Sequence, residues 1–289
     1  MGPLTASQLH QFASNGFLVI PSFVESEVLA RWREQFWART GASPTDPTTW
    51  PGSYVDPGPE LLTPQPVDPR VCDLPQVRAL TDQLMGKGCY EDGLRPVEEY
   101  DNLIVRWPLD DPKPLSEWER PTSGHLESYN GNKGGWFGGA MMGATIYLED
   151  VRPGGGGFFL WPKSHLHVHE YMKQQPQRIT DGAAPGANNE NAWNEDKLTE
   201  ASGIKYDYKP FEWCAQKGDL CIWHHWTVHA PSENLCRSEP RLGLIARWHH
   251  ADWEEMKYDA GGIISDGDLW KHWSPETQAA ASGFQECKL

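Results

Sequence analysis

The chain has 289 residues, 38% of them hydrophobic, which is enough for one domain of catalytic size with its own core. Its formal net charge is −15 and no segment concentrates Lys and Arg on one face, so DNA and RNA are not expected partners. The longest apolar runs fall far short of the roughly 20 residues that span a bilayer, so no membrane span is expected. The first residues lack the basic and apolar regions of a signal peptide, which predicts an intracellular protein.

Cysteine and tryptophan usage narrows the fold class. The six cysteines are dispersed without CxxC spacing, which predicts reduced thiols and no disulfide framework. The 15 Trp, 24 Pro and 28 Gly residues favour short strands and many turns over long helices. The composition therefore predicts an all-β barrel or sandwich.

The first 40 residues are predicted to form a helix, a strand and a second helix. Thr5 or Ser7 caps the first helix, and the apolar run at 17–20 is a short buried strand. Ser22 or Glu25 opens the second helix. Its apolar residues recur at spacings of three and four and form one face, made of Val28, Leu29, Trp32 and Phe36.

The next segments are less regular. Residues 43–69 are interrupted by Pro and Gly and are predicted to be irregular, whereas residues 71–85 form another helix. A strand is predicted at 102–107. Its alternate residues share one face, which either lines a cleft or forms a solvated edge: Asn102, Ile104 and Arg106.

The strongest β signals lie beyond residue 140. The predicted strands 144–148 and 158–161 flank a turn with four consecutive glycines, which predicts a hairpin. The polar segment 173–204 shows no periodicity and is predicted to be an insertion loop that is either mobile or a lid. Three more strands are predicted, at residues 206–208, 220–226 and 242–248.

The segment Gly124-His125-Leu126-Glu127 is the first indication of metal chemistry. On an extended strand His125 and Glu127 project from the same face, where one metal ion can bind both. His229, near the end of a predicted strand, is the leading candidate for a third ligand. Two histidines and one carboxylate form the site of non-haem Fe(II) oxygenases. By itself a His-x-Glu pair is more often the polar end of a strand.

Arg241 lies twelve residues after His229 at the start of a predicted strand, where a guanidinium can bind a dicarboxylate bidentately. With these motifs the sequence resembles the phytanoyl-CoA dioxygenase family of Fe(II)- and 2-oxoglutarate-dependent oxygenases. The resemblance covers nearly the whole chain. The matching segments are residues 4–21, 125–127, 148–151, 156–165, 218–220 and 229–234, together with Arg241.

The resemblance implies a mainly β fold, a double-stranded β-helix of the cupin-like jelly-roll type with N-terminal helices. It implies one Fe(II)/2-oxoglutarate dioxygenase-like domain over residues 1–289. Within it the helical part covers about 1–95, the jelly-roll core about 100–250 and the insertion loop about 173–204.

The same resemblance assigns roles to individual residues. It makes His125, Glu127 and His229 the iron ligands, and it makes Arg241 the partner of the distal carboxylate of 2-oxoglutarate. Thr145, on the strand after the His-x-Glu segment, is a further predicted contact to 2-oxoglutarate. The implied cofactors are Fe(II), 2-oxoglutarate as co-substrate, and O2.

Two positions depart from the pattern of the family. Most members have Asp where this chain has Glu127, so the carboxylate reaches one methylene further. Members often carry a hydroxyl two residues after the distal histidine, where this chain has Pro231, so that contact is lost or moved to Ser232. Family members that halogenate lack the carboxylate ligand, so the retention of Glu127 argues against halogenation.

Other histidines compete for metal roles. His224 and His225 lie in the predicted strand before His229 and point to opposite faces, so one of them is an alternative distal ligand. A second metal site is a further alternative, because His165, His167 and His169 alternate along a possible strand edge. The favoured interpretation of this segment is a structural turn.

The implied activity is oxidation of a substrate C–H bond, by hydroxylation or by related desaturation or cyclisation. The charge of −15 without a basic cluster disfavours an acyl-CoA, so a small apolar or aromatic metabolite is predicted. Its pocket would be walled by Trp136, Phe137, Trp223 and Trp226. The alternatives are a cupin-like metalloenzyme that does not use 2-oxoglutarate and a non-catalytic binding protein. In a eukaryote, the final Cys287-Lys288-Leu289 resembles a peroxisomal address; otherwise a cytoplasmic protein is predicted.

Overall fold

The structure is a computed structural model, which describes residues 4–50, 67–87, 89–91, 102–126, 141–174, 192–236, 239–250 and 268–283. The α-helices in these ranges are α1 (Ala6–Asn15), α2 (Ser26–Thr40), α3 (Pro75–Met85), α4 (Ser164–Gln174), α5 (Glu195–Ser202) and α6 (Pro275–Ser282). The strands are β1 (Phe17–Ile20), β2 (Cys89–Glu91), β3 (Asn102–Arg106), β4 (Met141–Tyr147), β5 (Phe158–Leu160), β6 (Phe211–Trp213), β7 (Leu220–His224), β8 (His229–Pro231) and β9 (Arg241–His250).

The strands form two antiparallel sheets. The larger sheet has six strands in the order β1-β7-β4-β9-β2, and β3 also pairs with the first half of β9. The smaller sheet has three strands in the order β6-β5-β8. The connection from β4 to β5 therefore passes from one sheet to the other, so the predicted hairpin of 144–148 with 158–161 is wrong.

Alternate residues of the larger sheet face opposite ways. The face toward the smaller sheet, called the inner face below, carries Gly143, Thr145 and Tyr147 of β4, Cys221 and Trp223 of β7, and Arg241, Gly243 and Ile245 of β9. The opposite, outer face carries Met142, Ala144 and Ile146 of β4, Leu220, Ile222 and His224 of β7, and Leu242, Leu244 and Ala246 of β9. The helices α1, α2 and α3 bury their apolar residues in the same cluster as the outer face.

The N-terminal predictions are confirmed. Thr5 caps α1 in a capping box with Gln8, and β1 spans the predicted residues. Helix α2 begins after Glu25, and its predicted apolar face is buried through Leu29, Trp32 and Phe36. Because Trp32 also donates its indole N–H to the carbonyl of Pro69, the helix is fixed to the chain that precedes α3.

Three later predictions are corrected. The prediction of a mainly β chain is met only in part, since strands make up 21% of the described residues, fewer than the helices do. Residues 206–208 form no strand, and the strand lies at β6 instead. The segment 173–204 is not simply a loop, because it ends in α5, which Asn194 caps; residues 175–191 lie outside the described ranges.

In the described part of the chain no helix has the length and apolar character needed to cross a membrane.

Candidate functional site

His125 and His229 lie side by side at the edge of the smaller sheet. His229 begins β8 and pairs with Leu160 of β5. His125 forms an isolated antiparallel bridge with His229, with N–H···O distances of 2.8 and 3.0 Å in the two directions. Their imidazole rings are 4.3 Å apart between centroids. Residues far apart in the sequence are thus brought to one point by backbone pairing.

A glycine before His125 allows this approach. A Cβ on Gly124 would lie 2.6 Å from the carbonyl oxygen of His229, closer than real Cβ atoms come. On its other side Gly124 exchanges two hydrogen bonds with Trp193, of 2.8 and 2.7 Å. The backbone around His125 is therefore confined between two neighbouring segments, and only glycine fits at 124 without moving them.

The orientation of the His229 ring is set by its own chain. Its Nδ1 lies 2.8 Å from the carbonyl oxygen of Thr227, and a carbonyl only accepts, so Nδ1 carries the hydrogen. The lone pair of the neutral ring is then on Nε2, the atom that a metal would bind. The ring is 3% exposed and packs on Trp223 and Phe158, at 4.7 and 5.2 Å between centroids. Such a carbonyl partner is the usual device for orienting a ligating imidazole.

Glu127, the predicted carboxylate ligand, lies outside the described residues, as do Trp136, Phe137 and the C-terminal tripeptide at 287–289. Among the described residues, no group of three or more His, Cys, Asp and Glu side chains is arranged to hold a metal ion. The structure therefore brings together the two predicted histidines and leaves the carboxylate as a prediction.

Arg241 is a buried cation on the inner face. It is 6% exposed and pairs in register with Arg106 of β3. Its Nε donates to the carbonyl of Gly156 at 2.9 Å, and its guanidinium carbon lies 5.7 Å from the centre of the Tyr147 ring. Burial lowers the pKa of the guanidinium from its ordinary value. No carboxylate of the described chain pairs with it, and a buried charge of this kind calls for an anionic ligand.

The guanidinium is aimed along β9 toward the middle of the inner face. One terminal nitrogen, Nη1, lies 3.5 Å from the position that a Cβ on Gly243 would occupy. Gly243 is opposite Tyr147, the last residue of β4. Because the Nη groups make no hydrogen bond to described residues, both remain available for a carboxylate.

Thr145 is buried on the inner face, where its hydroxyl already has a protein partner. Its Oγ1 accepts a hydrogen bond of 3.2 Å from the indole N–H of Trp223, the ring that packs on His229. The indole lies flat over Gly143, where a Cβ would come within 2.0 Å of it. Thr145 therefore supports the surroundings of His229 through Trp223, a connection that the sequence did not reveal.

The competing histidines lie elsewhere. His224 is on the outer face, stacked on Trp273 at 5.1 Å, and its Nδ1 accepts from the backbone N–H of Trp226. Burial holds its pKa well below the ordinary value. The ring of His225 lies 4.4 Å from that of His224 and is buried with it. His224 thus points away from the paired rings of His125 and His229.

The predicted alternation at 165–169 is wrong, because these residues belong to helix α4 and not to a strand edge. His165 bonds through Nε2 to the carbonyl of Ala13, and burial lowers the pKa of its imidazole to about 3. His167 bonds through Nδ1 to Ser202 and the carbonyl of Leu198. These histidines have structural roles, which agrees with the favoured interpretation, but they lie in a helix and not in the predicted turn.

The hydroxyl of Ser232 and the amide of Asn234 donate hydrogen bonds to backbone carbonyls. Ser232 donates to the carbonyl of Gly157 at 2.9 Å. Asn234 donates to the carbonyls of Arg106 and Glu239, which joins β3 to the start of β9 beside Arg241. The suggested transfer of a co-substrate contact from Pro231 to Ser232 therefore gains no support from this geometry.

Comparison with known proteins assigns the chain to a family. The sequence model described as phytanoyl-CoA dioxygenase (PhyH) matches residues 12–242, so the chain belongs to this family. Enzymes of the family are non-haem, Fe(II)- and 2-oxoglutarate-dependent oxygenases that use O2, and that is the class of this protein. No curated protein sequence matches the chain significantly.

Solved structures show the same fold at low sequence identity. The epimerase SnoN, solved in complex with Fe3+, alpha ketoglutarate and nogalamycin RO, aligns with a TM-score of 0.54 and 15% identity over 85% of this chain and 83% of its own. AviO1 from Streptomyces viridochromogenes Tue57 aligns with a TM-score of 0.50 and 14% identity over 84% of this chain and 94% of its own. EctD from S. alaskensis aligns with a TM-score of 0.51 and 12% identity over 86% of this chain and 78% of its own. The two facing sheets thus correspond to the predicted jelly roll.

Proposed function

We propose that this member of the phytanoyl-CoA dioxygenase family binds Fe(II) through His125, Glu127 and His229, holds 2-oxoglutarate with Arg241, and oxidises a C–H bond of a small apolar or aromatic metabolite. The observation that carries the proposal is the pairing of His125 and His229, with rings 4.3 Å apart, where His229 packs on Trp223 of the inner face, the same face that carries Arg241.

The donor set suits Fe(II). The Nε2 lone pair of His229 is directed by the bond from Nδ1 to Thr227. An extended backbone after His125 would place Glu127 on the same face, and two imidazoles with one carboxylate leave positions for a co-substrate and O2. When bound, iron and 2-oxoglutarate together supply the oxidant for the substrate C–H bond, with succinate and CO2 as the products of the co-substrate.

The chain itself contributes binding, orientation and exclusion of water. Arg241 places two parallel N–H donors toward the distal carboxylate in a site that the protein has already desolvated. Thr145 is proposed to contact the co-substrate while it holds Trp223 against His229. The aromatic rings of Phe158 and Trp223 around His229 keep bulk water from the metal side.

The surroundings of the metal favour an apolar or aromatic substrate. The inner face and the facing strands bury Phe17, Phe158, Leu160, Trp213 and Trp223 in one cluster. A coenzyme A moiety carries several phosphate charges, which a chain of net charge −15 without a basic cluster binds poorly. Hydroxylation, desaturation and cyclisation all begin with attack on the substrate C–H bond, and the proposal covers all three outcomes.

The experiment combines ligand binding with product analysis. Fe(II) and 2-oxoglutarate added without oxygen should produce a weak visible charge-transfer band, and oxygen with a panel of metabolites should produce succinate. Arg241→Ala should raise the KM for 2-oxoglutarate by at least about thirtyfold, because it removes a buried charged partner. The exposed Arg78→Ala on α3 is the matched control and should change nothing. Absence of the band at saturating concentrations contradicts the proposal.

A metalloenzyme that does not use 2-oxoglutarate would give different results in these measurements. In that case Arg241→Ala leaves turnover unchanged and no succinate forms. A non-catalytic binding protein would bind metal or ligand without oxidising any member of the panel. The Arg241 variant and the succinate measurement together distinguish these cases.

A further inference from the structure

The phenol of Tyr147 is a buried donor whose hydrogen has no acceptor among the described residues. The side chain is fully buried, and its oxygen accepts one hydrogen bond of 2.8 Å from the backbone N–H of Phe158. That bond uses a lone pair of the oxygen and leaves the O–H as a donor. A buried hydroxyl without an acceptor costs free energy, so a group absent from the chain is expected to receive it.

The ring of Tyr147 is held rigidly, which directs the hydroxyl. One face stacks on Trp213, at 4.5 Å between centroids and 26° between planes. Arg241 approaches the ring at 5.7 Å, and Gly243 lies opposite Tyr147 on the neighbouring strand without a side chain to intervene. The phenol and the guanidinium are therefore neighbours on one buried surface, and both present N–H or O–H donors.

Two adjacent donors that have no acceptor among the described residues match one kind of ligand group. The Nη groups of Arg241 make no hydrogen bond to described residues, and the nearby hydroxyl of Ser232 is already donated to Gly157. A carboxylate has two oxygens with about four lone-pair sites, so one carboxylate can accept from the guanidinium and the phenol together. Burial raises the pKa of Tyr147 to about 12, so the phenol keeps its proton at neutral pH.

We propose that the hydroxyl of Tyr147 donates a hydrogen bond to the distal carboxylate of 2-oxoglutarate, beside Arg241. This inference rests on the proposed function, because it assigns a second residue to the anchor for the same co-substrate. The hydrogen bond from the backbone N–H of Phe158 orients the phenol oxygen of Tyr147. The ring of Phe158 also contacts His229, so Phe158 helps to position both the proposed carboxylate contact and the proposed metal ligand.

The test compares two keto acids in Tyr147→Phe. In anaerobic Fe(II)-loaded protein, affinity is measured by the charge-transfer band and by thermal stabilisation, first with 2-oxoglutarate and then with 2-oxovalerate, which has a methyl group in place of the distal carboxylate. Tyr147→Phe should weaken 2-oxoglutarate about tenfold to a hundredfold, as expected for a hydrogen bond to a charged group. The affinity for 2-oxovalerate should change less than twofold.

Control variants separate the donor from general packing. Tyr206→Phe also removes a buried phenol, one that donates to the carbonyl of Pro162, and should leave both affinities unchanged. Replacing Tyr147 with 4-aminophenylalanine restores an N–H donor on the same ring and should recover affinity lost in Tyr147→Phe; it also serves if that variant does not fold.

Three results would contradict either the inference or the proposed function on which it rests. Unchanged affinity for 2-oxoglutarate in Tyr147→Phe overturns the inference. An equal loss for both keto acids also overturns it, since the tyrosine then acts only by holding Phe158. A wild-type protein that binds neither keto acid contradicts the proposed function itself.

Discussion

The two faces of the larger sheet are built from alternate residues of the same strands, yet they bury different chemistry. On β4, Ala144 and Ile146 of the outer face pack into the aliphatic cluster with the helices. Their neighbours Thr145 and Tyr147 on the inner face both make hydrogen bonds, one with Trp223 and one with Phe158. One strand thus serves the core with one set of residues and the site with the other.

This difference separates stability from binding. Burial of aliphatic side chains on the outer face stabilises the fold without specifying a ligand. The inner face instead buries a guanidinium and a phenol with donors that no described residue accepts, which lowers stability until a ligand binds. Substitutions on the two faces should therefore give distinguishable phenotypes.

The largest contrast is expected between His229 and His224, two buried histidines on opposite sides of the fold. His229→Ala should lower the affinity for Fe(II) by at least about a hundredfold, since even loss of an outer partner of a ligand costs 10- to 100-fold. His224→Ala should leave metal affinity intact and lower the free energy of unfolding by about 2–4 kcal/mol, as for other large core side chains. Metal titration and urea unfolding measure the two effects, and Fe(II) affinity lost only in His224→Ala contradicts the assignment.

The next effect concerns His165, a histidine buried between α4 and α1. Its folded-state pKa is about 3, below the ordinary value of 6.5, because burial disfavours the charged ring. The unfolded chain therefore takes up a proton first, and this contribution to stability is present above about pH 6.5 and lost as the pH falls toward 3. Between pH 7.5 and 5.0 it amounts to about 2 kcal/mol.

Urea unfolding at both pH values checks this effect. The loss of stability on acidification should be smaller by that amount in His165→Gln than in the wild type, whereas His10→Gln on α1 provides the matched control. Equal pH dependence in the wild type and His165→Gln would show that the ring is not kept neutral by burial.

The smallest effect is expected at Thr145. Thr145→Val keeps the shape but removes the acceptor for the Trp223 indole, so the affinities for Fe(II) and 2-oxoglutarate should fall about fivefold. Thr145→Ser retains the hydroxyl and should stay near the wild type. Thr81→Val on α3, which loses a buried hydroxyl bonded to the carbonyl of Arg78, should leave both affinities unchanged. The same loss in Thr81→Val as in Thr145→Val would mean that only stability is affected.

Local patterns predicted most individual elements. The apolar run at 17–20, the spacing in α2 and the strand at 102–106 follow from the periodicity of side chains and from caps. The pairing of strands did not follow, because a glycine-rich connection has the same sequence whether it closes a hairpin or crosses between sheets. Helix α4 was missed for a related reason: residues 164–169 are all buried, so no polar face marks the helical period.

The sequence by itself determined the types of donor and their order along the chain: a His-x-Glu pair, a later histidine and an arginine twelve residues beyond it. Only the tertiary structure decided which histidine lies beside His125, because a side chain's direction depends on strand register and on the turn between His224 and His229. It alone placed the phenol of Tyr147 beside Arg241, since that contact arises from cross-strand pairing and from packing between two sheets.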